Sequence, residues 1–435
     1  MRFREFQSRV ANAAAPQRGL LTLLGLGAHA GALLETHRRY LRDGLDASAS
    51  TAIVNVKIGE LFQELALLAY EHDLDLDDIA YQNLIKIRQR ALDRDLPSLP
   101  EIPVGPVDVT TYAQLAATTD EDAAAGVDPL GLSVPMLGLA GEAGTLLVAQ
   151  KKEFRDRDPR SSDPDFLIEE LGDIVWYATT VTHHCGLDLD AVLAATVARV
   201  EQRRDERVAL AQLPSDLPVL DAGELATEQF PRRLVIRFQQ RKNAGRMVTT
   251  MKLVHAEPNA FPNGPIDVGI PGKPQGFRVD KQLGNELTDN SRRVDDYRFH
   301  DAIHLGFLAV MGWSANMRSL LALKRRSKPE IDENEDGARA IFAEEGLAAV
   351  LAKRSLALQG FRTEQAVDDD SIEMITTVLE DLEVSRMPTW LWRRAIAQGF
   401  TAMRHLADSQ GGFLDINLET RTLTYSKINP IDQEH

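Results

Sequence analysis

The sequence predicts a multidomain chain, all-α over its first half and α+β over its second. Three observations carry that prediction. Apolar residues recur at helical spacing from the start to about residue 210, with no alternating, strand-type stretch. The same half repeats itself at a fixed offset, the mark of a duplicated helical unit. Beyond an acidic, proline-punctuated stretch at residues 211–230 that reads as a linker, two alternating runs around Gly245 read as a β-hairpin.

A chain of 435 residues has room for several domains with real cores. Its 44% hydrophobic and 26% charged residues are ordinary for a soluble globular protein. The net charge of −16 argues against a nucleic-acid partner, which calls for a basic surface. A single cysteine, Cys185, rules out an intramolecular disulfide and suits a reducing, cytoplasmic setting. Residues 19–34 lack formal charge, but the run is short for a bilayer, contains His29 and ends in no clear cleavage site. It reads as a buried helix, with no membrane partner.

A shift of 113 residues lays Leu24 on Leu137, Gly31 on Gly144, Leu34 on Leu147 and Arg42–Asp43 on Arg155–Asp156. Without a gap, it also lays the LDLD of 74–77 on that of 187–190 and Gln89–Arg90 on Gln202–Arg203. Each copy reads as an apolar helix, a polar loop and a second long helix. LDLD then supplies an Asp for a helix N-cap, and a third helix follows. The predicted boundaries are residues 1–95 for the first copy and 107–210 for the second. An extended linker at 96–106 joins them, punctuated by Pro97, Pro100, Pro103 and Pro106.

The second copy holds Glu142 in one helix, and Glu170 and Asp173 three apart on one face of the next. Glu142 stands among Ala140, Gly141, Ala143 and Gly144, small enough to admit a second helix backbone. Packed together, these helices would gather three carboxylates whose repulsion a hard divalent cation relieves, Mg²⁺ above all when phosphates share the coordination. The plainer reading is two amphipathic helices with solvated acids. At the matching positions copy one has His29, Lys57 and Glu60, so it has lost the constellation. At its far end Tyr81, Asn83, Lys86 and Arg90 offer groups for a phosphate or a base, or else form the polar surface of a packing partner.

In GLAGEAG, the following Lys151–Lys152, EELGDIVWY of 169–177, GLDLD of 186–190 and QNLIKIRQR of 82–90, the first half resembles the MazG-like nucleotide pyrophosphohydrolases, the all-α NTP pyrophosphatase group. The resemblance implies a four-helix bundle built from tandem units. It also implies Mg²⁺-dependent (or Mn²⁺-dependent) hydrolysis of a nucleoside triphosphate, NTP or dNTP, to monophosphate and pyrophosphate. Such an activity serves nucleotide-pool clearance, or nucleotide depletion under stress or phage attack. Carried over, Glu142, Glu170 and Asp173 are metal ligands, and Glu169 is a neighbouring acid that, like Glu142, could act as base. Lys151 and Lys152 are phosphate contacts or simple surface charge, and Tyr81, Asn83 and Trp176 are candidates for base discrimination. The family also implies homo-oligomers, a need that an internal duplication can itself satisfy. Gly141 and Thr145 stand where the family has acids. The loss of a direct ligand at Thr145 supports an alternative, a catalytically weakened nucleotide sensor that signals to its C-terminal domain.

Residues 231–435 are predicted to be an α+β domain, with no family assigned. The hairpin runs of 234–238 and 247–254 carry a basic patch, Arg232, Arg233, Arg237, Arg241, Lys242 and Arg246. A Pro/Gly-rich loop at 257–277 precedes helices at 297–311, 317–323, 336–358, 372–383 and 388–406, and strands close the chain at 413–425. In DDYRFHDAIH, residues 295–304, Asp296, His300 and His304 fall at four-residue steps and are predicted to share a helix face. Histidines so spaced ligate metal when a third ligand approaches, for which Glu335, Glu344 and Glu345 are candidates. The alternative is a helix whose histidines bond to carboxylates. The His300–Asp301 doublet also resembles that of HD-type phosphohydrolases. Trp390, Trp392, Arg393 and Arg394 read as a packed and solvated helix rather than a base site.

Overall fold

The computed structural model describes residues 1–14, 19–44, 46–93, 101–120, 129–243, 245–269, 272–292 and 294–433. The chain divides into two compact units, Met1–Val208 and Ala209–His435.

The first unit is helical: α1 (Phe3–Ala13), α2 (Gly19–Asp43), α3 (Ala47–Glu71), α4 (Leu76–Asp93), α5 (Val109–Ala117), α6 (Pro129–Asp156), α7 (Pro164–His184) and α8 (Leu189–Ala211). The long helices α2, α3, α6 and α7 pack on one another. They share one core, including Leu26, Leu33, Phe62, Leu65, Leu139, Leu146, Leu171 and Ile174. Residues 1–95 and 107–210 therefore do not form separate domains, because neither half can bury its apolar stripes without the other. Helix ends recur with the predicted offset: Asp43 and Asp156 close α2 and α6, Glu71 and His184 close α3 and α7, and Leu76 and Leu189 open α4 and α8. Asp75 and Asp188 accept the N–H groups of Asp77 and Asp190 at 2.8 and 3.0 Å, which caps the two third helices. Of the predicted 96–106 linker, residues 101–106 contain neither helix nor strand, and 96–100 lie outside the described residues.

Two elements differ from expectation. Residues 19–34 belong to a 25-residue helix of which only one face is buried, while Leu20, Leu21 and Leu24 are exposed. This helix and residues 131–156 of α6 are long and apolar enough to cross a membrane by length and composition; here their inner faces line the bundle core. The small residues around Glu142 do not admit a neighbouring backbone, since a Cβ at Gly141 or Gly144 would meet nothing within 4 Å.

The second unit is built on a five-stranded antiparallel sheet in the order β3-β2-β1-β4-β5. The strands are β1 (Arg233–Asn243), β2 (Arg246–Glu257), β3 (Gln282–Leu287), β4 (Gly411–Asn417) and β5 (Thr422–Ser426). The helices are α9 (Asp301–Met311), α10 (Ala315–Leu320), α11 (Pro329–Asn334), α12 (Ala338–Ser355), α13 (Asp369–Val378) and α14 (Leu391–Ser409). Every residue of α9 is buried, as an almost wholly apolar helix requires. It crosses α14 at close range: a Cβ on Gly306 would lie 2.6 Å from the Ala395 carbonyl oxygen, and one on Gly399 would lie 3.0 Å from Ile303 Cα. Trp390 and Trp392 belong to the same core.

Three expectations for this half are corrected. Residues 211–230 are not a free linker, because Asp221 and Glu228 are buried and hold Phe230, Arg232 and Ser327. The basic patch is half neutralised: Arg232 pairs with Asp221, Arg233 with Asp415 and Arg241 with Glu286, while Arg237 lies over the Phe413 ring. Asp296 is not on the histidine helix. Its backbone is left-handed (φ 62°), residues 297–299 form a 3₁₀ turn, and the α-helix begins only at Asp301.

Candidate functional site

In the first unit α6 brings Glu142 against Glu170 of α7, close enough for their carboxyls to hydrogen-bond. Glu170 is pushed up to about 7, first by burial, then by sharing that hydrogen bond and by repulsion from Glu142, Asp173 and Glu169. Its Oε2 is buried and has no hydrogen-bond partner among the described residues.

Asp173 sits beside this pair but is already engaged. Its Oδ2 accepts from Lys86 Nζ at 2.8 Å and its Oδ1 from Asn83 Nδ2 at 3.1 Å. Asn83 is in turn fixed by the buried Tyr112, whose hydroxyl donates to Asn83 Oδ1 at 2.9 Å. A Cβ on Gly172 would come within 3.1 Å of the Asn83 Cβ, so the glycine lets α4 seat against α7. Lys86 also reaches Glu169 Oε1 at 2.9 Å, which holds that exposed carboxylate below its usual range.

The other predicted contacts are placed elsewhere. Lys151 and Lys152 are exposed on α6, roughly 13 Å along the helix from Glu142 at 1.5 Å per residue. The cation at the acids is Lys86. Trp176 spends its Nε1–H on Thr119 Oγ1 at 3.1 Å and stands edge-on to Tyr177 at 4.9 Å. Tyr81 is half-buried and Arg90 exposed. Thr145 donates its hydroxyl to the Gly141 carbonyl of its own helix, at 3.2 Å, and supplies no ligand. At the matching place in the first copy, Glu60 is paired with His29 at 3.2 Å and Lys57 at 2.8 Å, so that position already carries its own positive charge.

These residues fit a hard divalent cation. The donors are all carboxylate oxygens, one is buried and unpartnered, and each Asp173 oxygen retains a lone pair beyond the bond it accepts. Without a cation the Glu142–Glu170 pair should favour the fold only while protonated, a contribution lost as pH rises through about 7. Glu170→Gln is therefore expected to raise the melting temperature of metal-free protein at pH 8 and to leave it unchanged at pH 4. Equal melting of the two proteins at pH 8 would contradict the assigned repulsion.

The second unit gathers His300, His304 and Glu345, each with a ligand atom within 4.8 Å of the others. Of the other predicted members, Glu344 bonds His304 from behind at 2.8 Å, and the buried Asp301 lies 3.9 Å from His300 Nε2. Glu335 points elsewhere, accepting the Glu383 backbone N–H at 2.9 Å. Burial opposes charge on His304, yet Glu344 and Glu345 raise its pKa to about 10.

Residues 274–429 match the family described as the MazG C-terminal domain. The match falls within the half for which the sequence reading assigned no family, and it omits β1 and β2, which complete the sheet. The chain is also 34% identical to the Gene 37 protein of Mycobacterium phage L5 over 80 residues, which are 18% of this chain and 70% of the phage protein. No solved structure matches the chain. The domain match and the phage relative together make this chain a MazG-related protein.

Proposed function

We propose that the first unit is a Mg²⁺-dependent nucleoside triphosphate pyrophosphohydrolase, converting an NTP or dNTP to the monophosphate and pyrophosphate. The MazG relationship points to a nucleotide pyrophosphohydrolase-related role. The observation that carries the finer reading is the Glu142–Glu170 pair, repelled and half-buried, with an unpartnered oxygen beside Asp173. Glu142, Glu170 and Asp173 would hold Mg²⁺, with Mn²⁺ as a substitute. Bound there, the ion supplies charge neutralisation for the phosphates and a lowered pKa for a bound water. The chain's own residues orient this arrangement: Tyr112 fixes Asn83, and Asn83 and Lys86 fix Asp173. Lys86 is the cation nearest the acids and would steady the pyrophosphate leaving group. The near-equal helix bounds at the constant offset support descent from a duplicated unit. So does the equivalence of two contacts, in which Gly172 faces Asn83 and Gly59 faces Thr196.

The test is pyrophosphate release from individual NTPs and dNTPs with Mg²⁺ or Mn²⁺. Release from at least one nucleotide is expected, and silence across all of them overturns the proposal. Two observations favour a second reading, a nucleotide sensor with little turnover: Thr145 offers no ligand, and Lys86 already occupies Asp173. Nucleotide binding would then raise the melting temperature without pyrophosphate release. In that case Thr145→Glu, which restores an acid on the exposed side of α6, is expected to gain hydrolysis.

A further inference from the structure

The start of α9 holds a second group of donors, of different chemistry from the acids of the first unit. Both histidines there turn Nδ1 to a fixed acceptor: His300 to the Tyr297 carbonyl at 2.9 Å and His304 to Glu344 Oε1 at 2.8 Å. With one N–H committed on that side, a metal that displaces the proton at Nε2 finds the lone pair of each ring there. The two Nε2 atoms face one carboxylate, Glu345, whose Oε2 is 3.6 Å from His300 and whose Oε1 is 3.7 Å from His304. Those separations are beyond a hydrogen bond. Among the described residues, His304 Nε2 is fully buried and unpartnered, as is Oδ2 of the buried Asp301 next in chain to His300.

We propose that His300, His304 and Glu345, with Asp301 beside them, form a binding site for a divalent first-row transition ion in the second unit. Bonds of roughly 2.0–2.1 Å to a tetrahedral ion put neighbouring ligand atoms roughly 3.3 Å apart. The two spacings to Glu345 exceed that by a few tenths of an ångström and the three ligand atoms all lie within 4.8 Å of one another, so binding draws the side chains inward. Two imidazoles with carboxylates select such an ion over Mg²⁺ or Ca²⁺, which prefer oxygen alone. The Glu344 carboxylate behind His304 is the partner that orients a metal-bound histidine. Tyr297 stacks on the His300 ring at 4.4 Å and an interplanar angle of 4°, which fixes the second ligand. The histidines are buried while Glu345 is 41% exposed, so an ion enters past the one exposed ligand. The site lies inside the segment matched to the MazG C-terminal domain, separate from the acids of the first unit.

The experiment titrates the chelator-treated full chain with Co²⁺, following its visible absorption, with Zn²⁺ as competitor. One equivalent of Co²⁺ in an N/O environment is expected, displaced by Zn²⁺. Glu345→Gln and His300→Ala are expected to weaken uptake at least tenfold, and Arg339→Ala, at an exposed position outside both sites, to leave it unchanged. Glu345 is at the rim, so its variant keeps the fold, and far-UV circular dichroism checks both. Wild-type uptake no greater than that of the Glu345→Gln/His300→Ala double variant overturns the proposal and leaves the histidines as ion-pair partners of Glu344 and Glu345.

Discussion

Glu170→Ala is expected to abolish pyrophosphate release, a loss of ~100-fold or more, which is the scale of losing a metal-holding carboxylate or its support. The expectation rests on Glu170 being the point where the site's opposing demands meet. Its Oε2 has no partner among the described residues, and its neighbour Glu142 repels it. An isolated fold gains nothing from that arrangement, so the metal-free variant should be at least as stable as the wild type. Lost activity with retained melting temperature is the diagnostic pair of results. Glu169→Ala is the internal contrast. That carboxylate is 58% exposed and held low by Lys86, which suits it poorly to accepting a proton near neutral pH. Its removal is expected to cost under ~10-fold. If Glu170→Ala keeps more than about a tenth of the wild-type rate, the carboxylate pair is not the centre of the chemistry.

The helices of the first half were legible because their signals are local. Amphipathic spacing and repeated LDLD caps depend on neighbours in sequence, and the three-residue step of Glu170 and Asp173 fixes their shared face. What joins the helices was not legible. Lys86 and Asn83 were read as groups for a phosphate or a base, or as the polar surface of a packing partner, and both bond to Asp173, 87 and 90 residues away. The constant offset was the available signal: it sets Asn83 opposite Thr196, and each lies against the glycine of the other copy's second long helix. Lys151 and Lys152 came from the family resemblance, and nine and ten residues along a helix lead away from Glu142 at 1.5 Å per residue. In the second half, β3 was missed because QLGNEL buries almost nothing beyond Leu283 and carries no apolar alternation. The four-residue step from Asp296 to His300 failed as a helical argument because the chain enters α9 through a left-handed residue and a 3₁₀ turn.

Glu344→Ala is expected to destabilise the second unit by about 3–5 kcal/mol, the cost of removing one partner from a buried charged pair. Glu344 is fully buried on α12 and accepts three hydrogen bonds. They come from His304 Nδ1 at 2.8 Å, Ser314 Oγ at 2.7 Å and the Asn316 backbone N–H at 2.9 Å. Ser314 also caps α10 by accepting the Met317 N–H at 3.0 Å, so one carboxylate ties α9, α10 and α12 together. Alanine would orphan an imidazole, a hydroxyl and a backbone N–H in the core, each costing about 1–3 kcal/mol when left unmade. Glu344→Gln keeps one acceptor but turns an NH₂ toward donors, so an intermediate loss is expected. Urea unfolding followed by tryptophan fluorescence measures it, because Trp313, Trp390 and Trp392 all lie in this unit's core. If His304 ligates an ion, the glutamine variant must also weaken Co²⁺ uptake, although Glu344 never touches the ion. A variant that loses stability but binds Co²⁺ as the wild type does would assign Glu344 to packing alone. One that melts with the wild type would show that the three donors find other acceptors.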